Sequence, residues 1–486
     1  MTLKVNQPSA AVAAMSADLV KIDALMGGTM ALRAAGERYL PKWPMEDQKS
    51  YDFRLKTSTL YNAFARTIEN MAGKPFIEPV KWTDVDPIVE EWFDNFDLCG
   101  RNLHVFAQDV FRHGLKDGLT HVLVDYPPTV DETGAQLYKT KSEEATAGVR
   151  PYAIHIKQSQ ILGFISTFIN GAETLTQVRI LESVDEPDGD FGTKSVSQVR
   201  VLTPGAWQTY RKAPTSDDWL LDKEGSTSLD FIPLATFYTR RTGFMTATPP
   251  LNDLADLNIK HWQSSSDQDS ILHVARVPIL AISGVNDDTK IEVGAKSALM
   301  LPIGATVQYV EHTGAAISAG RDSIEDLQSQ MESMGAELLI VRPGARTATE
   351  TAIDTAQSQC QLSAMVESFE DFLDQTVDTM ATWVGLPDQG DIDVFDDFAT
   401  VTIGAATVAP FVTALVLLVN SGLMSRESAF EELKRYGVTN PDGVWEDEQE
   451  RIQNSPPDLT GTPTGSLTGI VPPITPISKV LQDDAE

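Results

Sequence analysis

PPLNDLADLNIKHWQSSSDQDSILHVARVPILAISG, residues 249–284, is the stretch whose reading decides the fold. Thr248 reads as an N-cap and Pro249 as the first helical residue, where a missing N–H costs nothing. The pattern predicts a helix running to Ala275, roughly 40 Å long at about 1.5 Å per residue. Leu251, Leu254 and Leu257 give its first turns an apolar face. Its middle, QSSSDQDS at 263–270, is polar throughout, which a helix buried in one chain's core is not expected to carry. Such a helix either bridges through solvent or packs against copies of itself along a partly polar seam.

Downstream the text turns strand-like from Pro278, with a turn at Asn286-Asp287-Asp288 and a second strand in ATVQYVEH after Pro302-Ile303-Gly304. Ile324, Leu327, Met331, Met334 and Leu338 then fall on one helical face. The loop VRPGARTATE follows, and Thr347 to Glu350 forms a capping-box pattern. A helix starting there carries Leu362, Met365, Phe369, Phe372, Leu373, Val377 and Met380, and ends at Gly385-Leu386-Pro387. A chain that leaves a β-rich body along one helix, passes through a small β unit and returns along another forms a stem with a tip. That arrangement makes most sense when many copies pack side by side.

Upstream, Leu60, Phe64, Ile68 and Met71 repeat at helical spacing, and Gly73 and Pro75 stop that helix. Leu103, Phe106, Ala107 and Val110 mark another, ending near Gly114 or Gly118, and a strand follows over 120–126. Residues 129–150 read as a polar surface loop. Phe164–Ile169 and Leu175–Leu181 read as a hairpin about Asn170-Gly171, because Asn-Gly supplies the positive φ angles of a tight turn. Val196–Leu202 and Trp207–Arg211 form a second hairpin about Pro204-Gly205. Near the other end, Asp391–Val401 reads as a strand, and 405–436 as two helices, the second from Ser425 to Gly437. Beyond Ser455 the chain is rich in Pro, Thr and Gly, as a flexible or extended tail is.

With 486 residues the chain can bury a sizeable core in more than one domain. The net charge is −31, from 38 basic and 69 acidic residues. This argues against a protein that grips nucleic acid through a basic face, but not against one through which DNA passes, since an acidic wall repels phosphates. Cys99 and Cys360 stand alone, which fits a reducing compartment rather than a disulfide framework. The N-terminus lacks a sustained apolar core and carries Asp18, so it reads poorly as a signal peptide. The apolar run FVTALVLLV, 411–419, is far short of the ~20 residues of a membrane span and reads as a buried helix.

The common nucleotide, zinc-protease, serine-hydrolase and redox motifs are absent. Asp388, Asp391, Asp393, Asp396 and Asp397 invite a calcium reading, but Asp396 and Thr402 stand where an EF-hand loop starting at Asp391 needs Gly and Glu. A solvated strand edge fits better, with a metal-dependent hydrolase or nuclease using Asp391–Asp397 as the alternative. His104 and His113 lie on one predicted helix with no Cys or carboxylate pattern to complete a site. Arg342 and Arg346 sit in a Pro/Gly loop of an otherwise acidic chain. They either pair with Glu350 or a neighbouring acid, or meet phosphates, in which case a cyclic assembly would make them a ring.

The order of GGTMALRAAGERYLP (27–41), LYNAFARTIENMAGKPF (60–76), HVLVDYP (121–127), RPYAIHI and ILGF (150–164), the opening stretch (249–284), RTATET (346–351) and SGLMSRESAFEELKRYG (421–437) resembles the portal proteins of tailed bacteriophages. Within them it is closest to a subfamily catalogued as a domain of unknown function. The resemblance spans about residues 25–455 and implies an α+β portal-like fold. Its implied parts are an N-terminal segment and wing (1–247), stem helices (248–276 and 316–336), a clip (277–315), a tunnel loop (337–349) and a tunnel helix (350–386). A wing strand return (387–402), a crown (403–455) and a flexible or extended tail (456–486) complete them.

The resemblance further implies a ring, usually of twelve subunits, at one capsid vertex of the virion, assembled in the host cytoplasm. Through it DNA is packaged and ejected, and to it the motor and then the tail attach. The partners implied are other copies of itself, the large terminase, head–tail adaptor or tail proteins, capsid and scaffold proteins, and double-stranded DNA without sequence specificity. No catalytic residue, metal, cofactor or membrane is implied. Carried onto this chain, Arg342, Pro343, Gly344, Ala345, Arg346 and Thr347 would face DNA. Asn286, Asp287, Asp288, Lys290 and Lys296 would face motor or adaptor, and Gln263, Ser264, Ser266, Asp267 and Asp269 would line the contact between stems.

Overall fold

The strand Leu119–Asp125 runs through the centre of a three-stranded antiparallel sheet, between Tyr152–Ile156 and Leu234–Tyr238, with His121 opposite Ile156 on one side and Thr236 on the other. It belongs to a computed structural model that describes residues 3–129, 135–213, 216–275, 279–283, 306–310, 315–336, 360–396, 412, 415–435, 439 and 443–454. The chain is mixed α and β and divides into two units, Met1–Phe398 and Ala399–Glu486. Leu119–Val124 are all buried, so the strand lacks polar and apolar alternation, and its two polar members, Thr120 and His121, are hydrogen-bonded within the core.

The helix Leu103–Asp117 feeds that strand. Its N-cap Asn102 accepts a hydrogen bond from the Val105 N–H at 2.9 Å, and it stops at Gly118, whose φ of 89° is left-handed. Gly118 is needed for a second reason: a Cβ there would lie 2.7 Å from the Thr248 carbonyl. The core between this helix, the sheet and the helix Gln361–Val384 is aromatic. Phe111 stacks on Phe237 at 5.5 Å, Phe369 meets Phe237 edge-on at 4.8 Å, and Phe372 stacks on Phe369 at 5.6 Å. Ile68, Met71 and Phe64 of the helix Ala63–Gly73 close the same core.

A second sheet is an antiparallel meander of Ile161–Ile169, Ala172–Asp188, Gly192–Thr203, Ala206–Lys212 and Trp219–Ser226. Both expected hairpins are present. Asn170 and Gly171 take φ of 52° and 87°, and Gly205 takes 74°. The strands run longer than the sequence implied, and Trp219–Ser226 was not legible in it. The N-terminal helix Ala10–Met26 joins the two sheets: Val12 packs with Ile161, Val178 and Ile180, while Ile22 and Leu25 enter the aromatic core. Farther along, Lys81–Trp82 pairs antiparallel with Ile392–Asp393.

Several boundaries depart from expectation. The long helix begins at Asn252, not near Thr248. Thr248 and Pro249 both precede prolines, which pushes them away from the α region. The strand expected over Asp391–Val401 is only Ile392–Asp393 among the described residues. The expected helix through 350–386 does not pass Cys360, whose backbone is extended (ψ 164°) and whose Sγ caps a helix beginning at Gln361. The capping-box pattern at Thr347–Glu350 lies outside the described residues. The polar stretch 129–150 contains a short helix, Lys141–Thr146.

In the second unit, Ser425 caps the Ser428 N–H at 3.0 Å ahead of the helix Arg426–Arg435, as its sequence foretells. Phe430 meets Trp445 of the helix Trp445–Asn454 with ring centroids 5.5 Å apart. The apolar run at 411–419 is only partly buried: Leu415 is buried but Val416, Leu417 and Leu418 are exposed. Among the described residues, no helix is long and apolar enough to cross a membrane.

Candidate functional site

The feature that sets this body apart is an arm. The helix Asn252–Ala275 leads into the strand Ile279–Ser283, which pairs antiparallel with Thr306–Val310, and the helix Ala315–Ala336 follows. The helices run antiparallel to one another. Gln268 Nε2 donates to the Ile317 carbonyl at 2.9 Å, and His261 meets Gln328 at 3.1 Å one end farther down. Gly320 allows the close approach, since a Cβ there would lie 2.1 Å from the Gln268 amide oxygen. Leu327 and Met331 are buried between the helices and the body, on the stripe read from the sequence.

The polar middle of the first helix does not face outward as a whole. Asn258 is fully buried and doubly bonded: it accepts from the Phe64 N–H at 2.9 Å and donates to the Tyr61 carbonyl at 2.8 Å. It thereby caps the helix Ala63–Gly73 from outside, beside Asn62, which accepts from Ala65. Gln263 donates to the Tyr39 carbonyl at 2.7 Å. Ser266, His261 and Gln268 are buried. Of the run 263–270, Ser266 and Gln268 are buried and the other residues are half-buried or exposed, so the run as a whole is not buried within this chain. Main-chain carbonyls and N–H groups of the same chain satisfy part of it, and a hydrogen-bonded amide can be buried at little net cost.

The residues assigned to a contact between stems accordingly divide. Gln263 and Ser266 are engaged or buried within the chain, Ser264 and Asp267 are half-buried, and Asp269 is exposed. Asp267 lies 3.8 Å from Arg54, whose guanidinium makes a buried ion pair with Glu46 at 2.7 Å and stacks over Trp43. That hydrogen bond from Arg54 holds the Glu46 carboxyl below its usual range. The proposed tip residues Asn286, Asp287, Asp288, Lys290 and Lys296, and the loop residues Arg342 to Thr347, lie outside the described residues.

Two clusters of titratable groups lie elsewhere in the first unit. In one, Asp109 is surrounded by donors. His155 Nδ1 lies 3.4 Å from its carboxylate, Arg101 3.3 Å and Arg112 3.7 Å. His113 Nδ1 donates to the Asp109 carbonyl at 2.8 Å. The His155 hydrogen bond and the neighbouring positive groups hold the Asp109 carboxyl far below its usual range. Burial depresses His113 to about 4, and likewise His121, which sits between Thr236 and Gln158. Asp109, His113 and His155 are the one set of three potential metal ligands brought together among the described residues. Their carboxylate is already neutralised by two guanidiniums, so the site is explained as a half-exposed charge network over two buried histidines. His104 is elsewhere, accepting from the Val80 N–H at 3.4 Å.

The second cluster was missed by sequence reading. Glu370, Asp374 and Asp378 stand one turn apart on the helix Gln361–Val384 and accept hydrogen bonds from the N–H groups of Val394, Ile392 and Gln389 at 2.8, 2.9 and 2.6 Å. Burial, then repulsion from nearby aspartates, raises Glu370 to about 7 and Asp374 to about 6, and Asp378 rises for the same reasons. Asp391, Asp393 and Asp396 are exposed along the facing segment. No three of the described acids between 388 and 396 converge at metal-ligating distance, so the hydrolase alternative gains no support here. The spacing of four between the three helix acids was the available signal.

Residues 250–384 match the family model described as Domain of unknown function (DUF4055). That match covers the arm and the helix after it, about a quarter of the chain. No curated protein matches. Among solved structures, the chain is similar to one in the virion of a native gene transfer agent particle, at 10% identity over 76% of this chain and 88% of that one, with a TM-score of 0.38. The neck of the empty particle, computed with C6 symmetry, gives the same values. The neck of the native particle, computed with C12 symmetry, gives a TM-score of 0.36 over 75% and 87% of the two chains, again at 10% identity. Scores at this level do not establish a shared fold.

Proposed function

We propose that this chain is a portal subunit: it assembles into a closed ring, of about twelve copies as the resemblance to portal proteins implies, at one vertex of a phage-like capsid. One observation carries the reading. The chain leaves its body along a long helix, makes a small antiparallel strand pair, and returns along a second antiparallel helix. The order of motifs that resembles portal proteins includes this arm, and the match to the family of unknown function covers it.

In this reading the ring passes double-stranded DNA without sequence specificity, inward during packaging and outward on ejection. A net charge of −31 suits a wall along which phosphates slide rather than stick. Arg342 and Arg346 give transient phosphate contacts on the inner side. The tip carrying Asp287, Asp288, Lys290 and Lys296 meets the packaging ATPase and later the adaptor or tail proteins. Capsid and scaffold proteins are the ring's further partners. The half-buried and exposed members of the polar run, Ser264, Asp267 and Asp269, face the neighbouring arm. The chain is structural and carries out no catalysis.

Immunogold labelling of particles containing this chain tests the reading. It predicts one labelled vertex per particle, the vertex that carries the tail. Label distributed over the whole shell, or absent from particles, contradicts it.

A further inference from the structure

The longest strand of the meander, Ala172–Asp188, carries opposite surface chemistry at its two ends. At its far end the chain turns through Gly189, Asp190 and Phe191 into Gly192–Thr203, with Asp188 opposite Gly192. Phe191 is 103% exposed, and Asp185, Asp188 and Asp190 stand in solvent around it. The next acids inward are already paired: Glu186 with Arg211 at 2.6 Å and Glu182 with Arg200 at 2.8 Å. Lys194, opposite Glu186, is the one cation between residues 183 and 199.

The near end is basic and aromatic. The turn Arg240–Met245 lies beside the sheet there, with the Phe244 ring 6.3 Å from Phe164. Arg240 and Arg241 are exposed. The Arg241 guanidinium lies 4.8 Å over the Tyr238 ring, and Tyr238 feels its charge together with that of Glu173. Phe168 stands opposite Glu173, so the two share a face of the sheet, and it is 74% exposed. Glu173 is the acid at this end, and it accepts from the Ser166 hydroxyl at 2.6 Å.

We propose that the tip Asp185–Phe191 of one copy docks on the surface of Arg240, Arg241 and Phe168 of a neighbouring copy. This rests on the reading of the chain as a ring subunit, and it names a contact between bodies where the polar run of the arm names one between arms. The chemistries match. Guanidiniums form charge-assisted hydrogen bonds with carboxylates such as Asp188 and Asp190, and they also stack on an aromatic face such as that of Phe191. The two surfaces cannot meet within one chain, because Glu173 and Asp188 stand about 50 Å apart along a single strand at 3.3 Å per residue. A contact between two different surfaces of identical copies is head-to-tail, and such contacts close into rings.

Charge reversal in the full chain, read by native mass spectrometry, tests the contact. Asp188→Arg with Asp190→Arg, or Arg240→Glu with Arg241→Glu, places like charges against each other and should lower the ring fraction about tenfold or more. All four residues are exposed, so the unfolding midpoint should stay that of the unmodified chain. The four reversals together restore opposite charges and should recover the ring, and added salt should weaken the unmodified ring. Rings of the unmodified chain that both reversed pairs leave intact overturn this contact and spare the ring reading. A fourfold variant that assembles no better than either pair also overturns it, since the two surfaces would then meet some other virion protein. A chain that stays monomeric in every condition overturns the ring reading and the contact with it.

Discussion

The aromatic core of the body and the arm that leaves it are built on opposite terms. Between the sheet and the helix Gln361–Val384, Phe111, Phe237, Phe369 and Phe372 bury one another with ring centroids 4.8 to 5.8 Å apart, and no other copy of the chain is needed to complete them. On the arm, Leu254, Ala255 and Trp262 of the helix Asn252–Ala275, with Leu251 just before it, are buried in the body's core. The polar residues of the helix are tied by single hydrogen bonds: His261 to Gln328, Gln263 to Tyr39, Gln268 to Ile317. Apolar burial, at about 25 cal/mol per Å², outweighs a buried amide bond worth about 1 kcal/mol net. The body thus carries the stability, and the arm carries a surface whose remaining polar side chains, Ser264, Asp267 and Asp269, stay accessible.

Two substitutions sharpen that contrast. Phe237→Ala removes the ring that Phe111, Phe369 and Phe372 all pack against, and should cost about 3–5 kcal/mol in denaturant unfolding. If the loss were below about 1 kcal/mol, the body would not rest on this core. Asn258→Ala, at the root of the arm, leaves the Phe64 N–H without its partner and takes from the Tyr61 carbonyl one of its two hydrogen bonds, and should cost about 1–3 kcal/mol. It should also raise hydrogen exchange in the helix Ala63–Gly73, whose first turn it caps. An Asn258→Ala loss equal to that of Phe237→Ala would erase the distinction between the two regions.

Which parts of this were legible in the sequence follows from the range of the interactions. Asn170-Gly171 announces its hairpin because the turn geometry is decided by two adjacent residues. The arm helices are legible because apolar periodicity is local, and Ile324 to Met334 do lie on the return helix. The partners of the polar run at 263–270, Tyr39 and Ile317, were not legible because they are distant in the chain, and periodicity says which residues are polar but not what they meet. The row of acids Glu370, Asp374 and Asp378 was hidden for the same reason, since they accept from main-chain N–H groups 11 to 24 residues onward, which leave no mark in the sequence. Cys360 as an N-cap is rare among capping residues, so the break before Gln361 went unread.

The central claim is that the arm belongs to a ring, and the mass of the purified assembly tests it most directly. Native mass spectrometry, with negative-stain images of the same sample, should give about twelve times the 53.1 kDa of one chain and closed rings with a central hole. A monomer or dimer at every concentration, with and without capsid or scaffold extract, contradicts it.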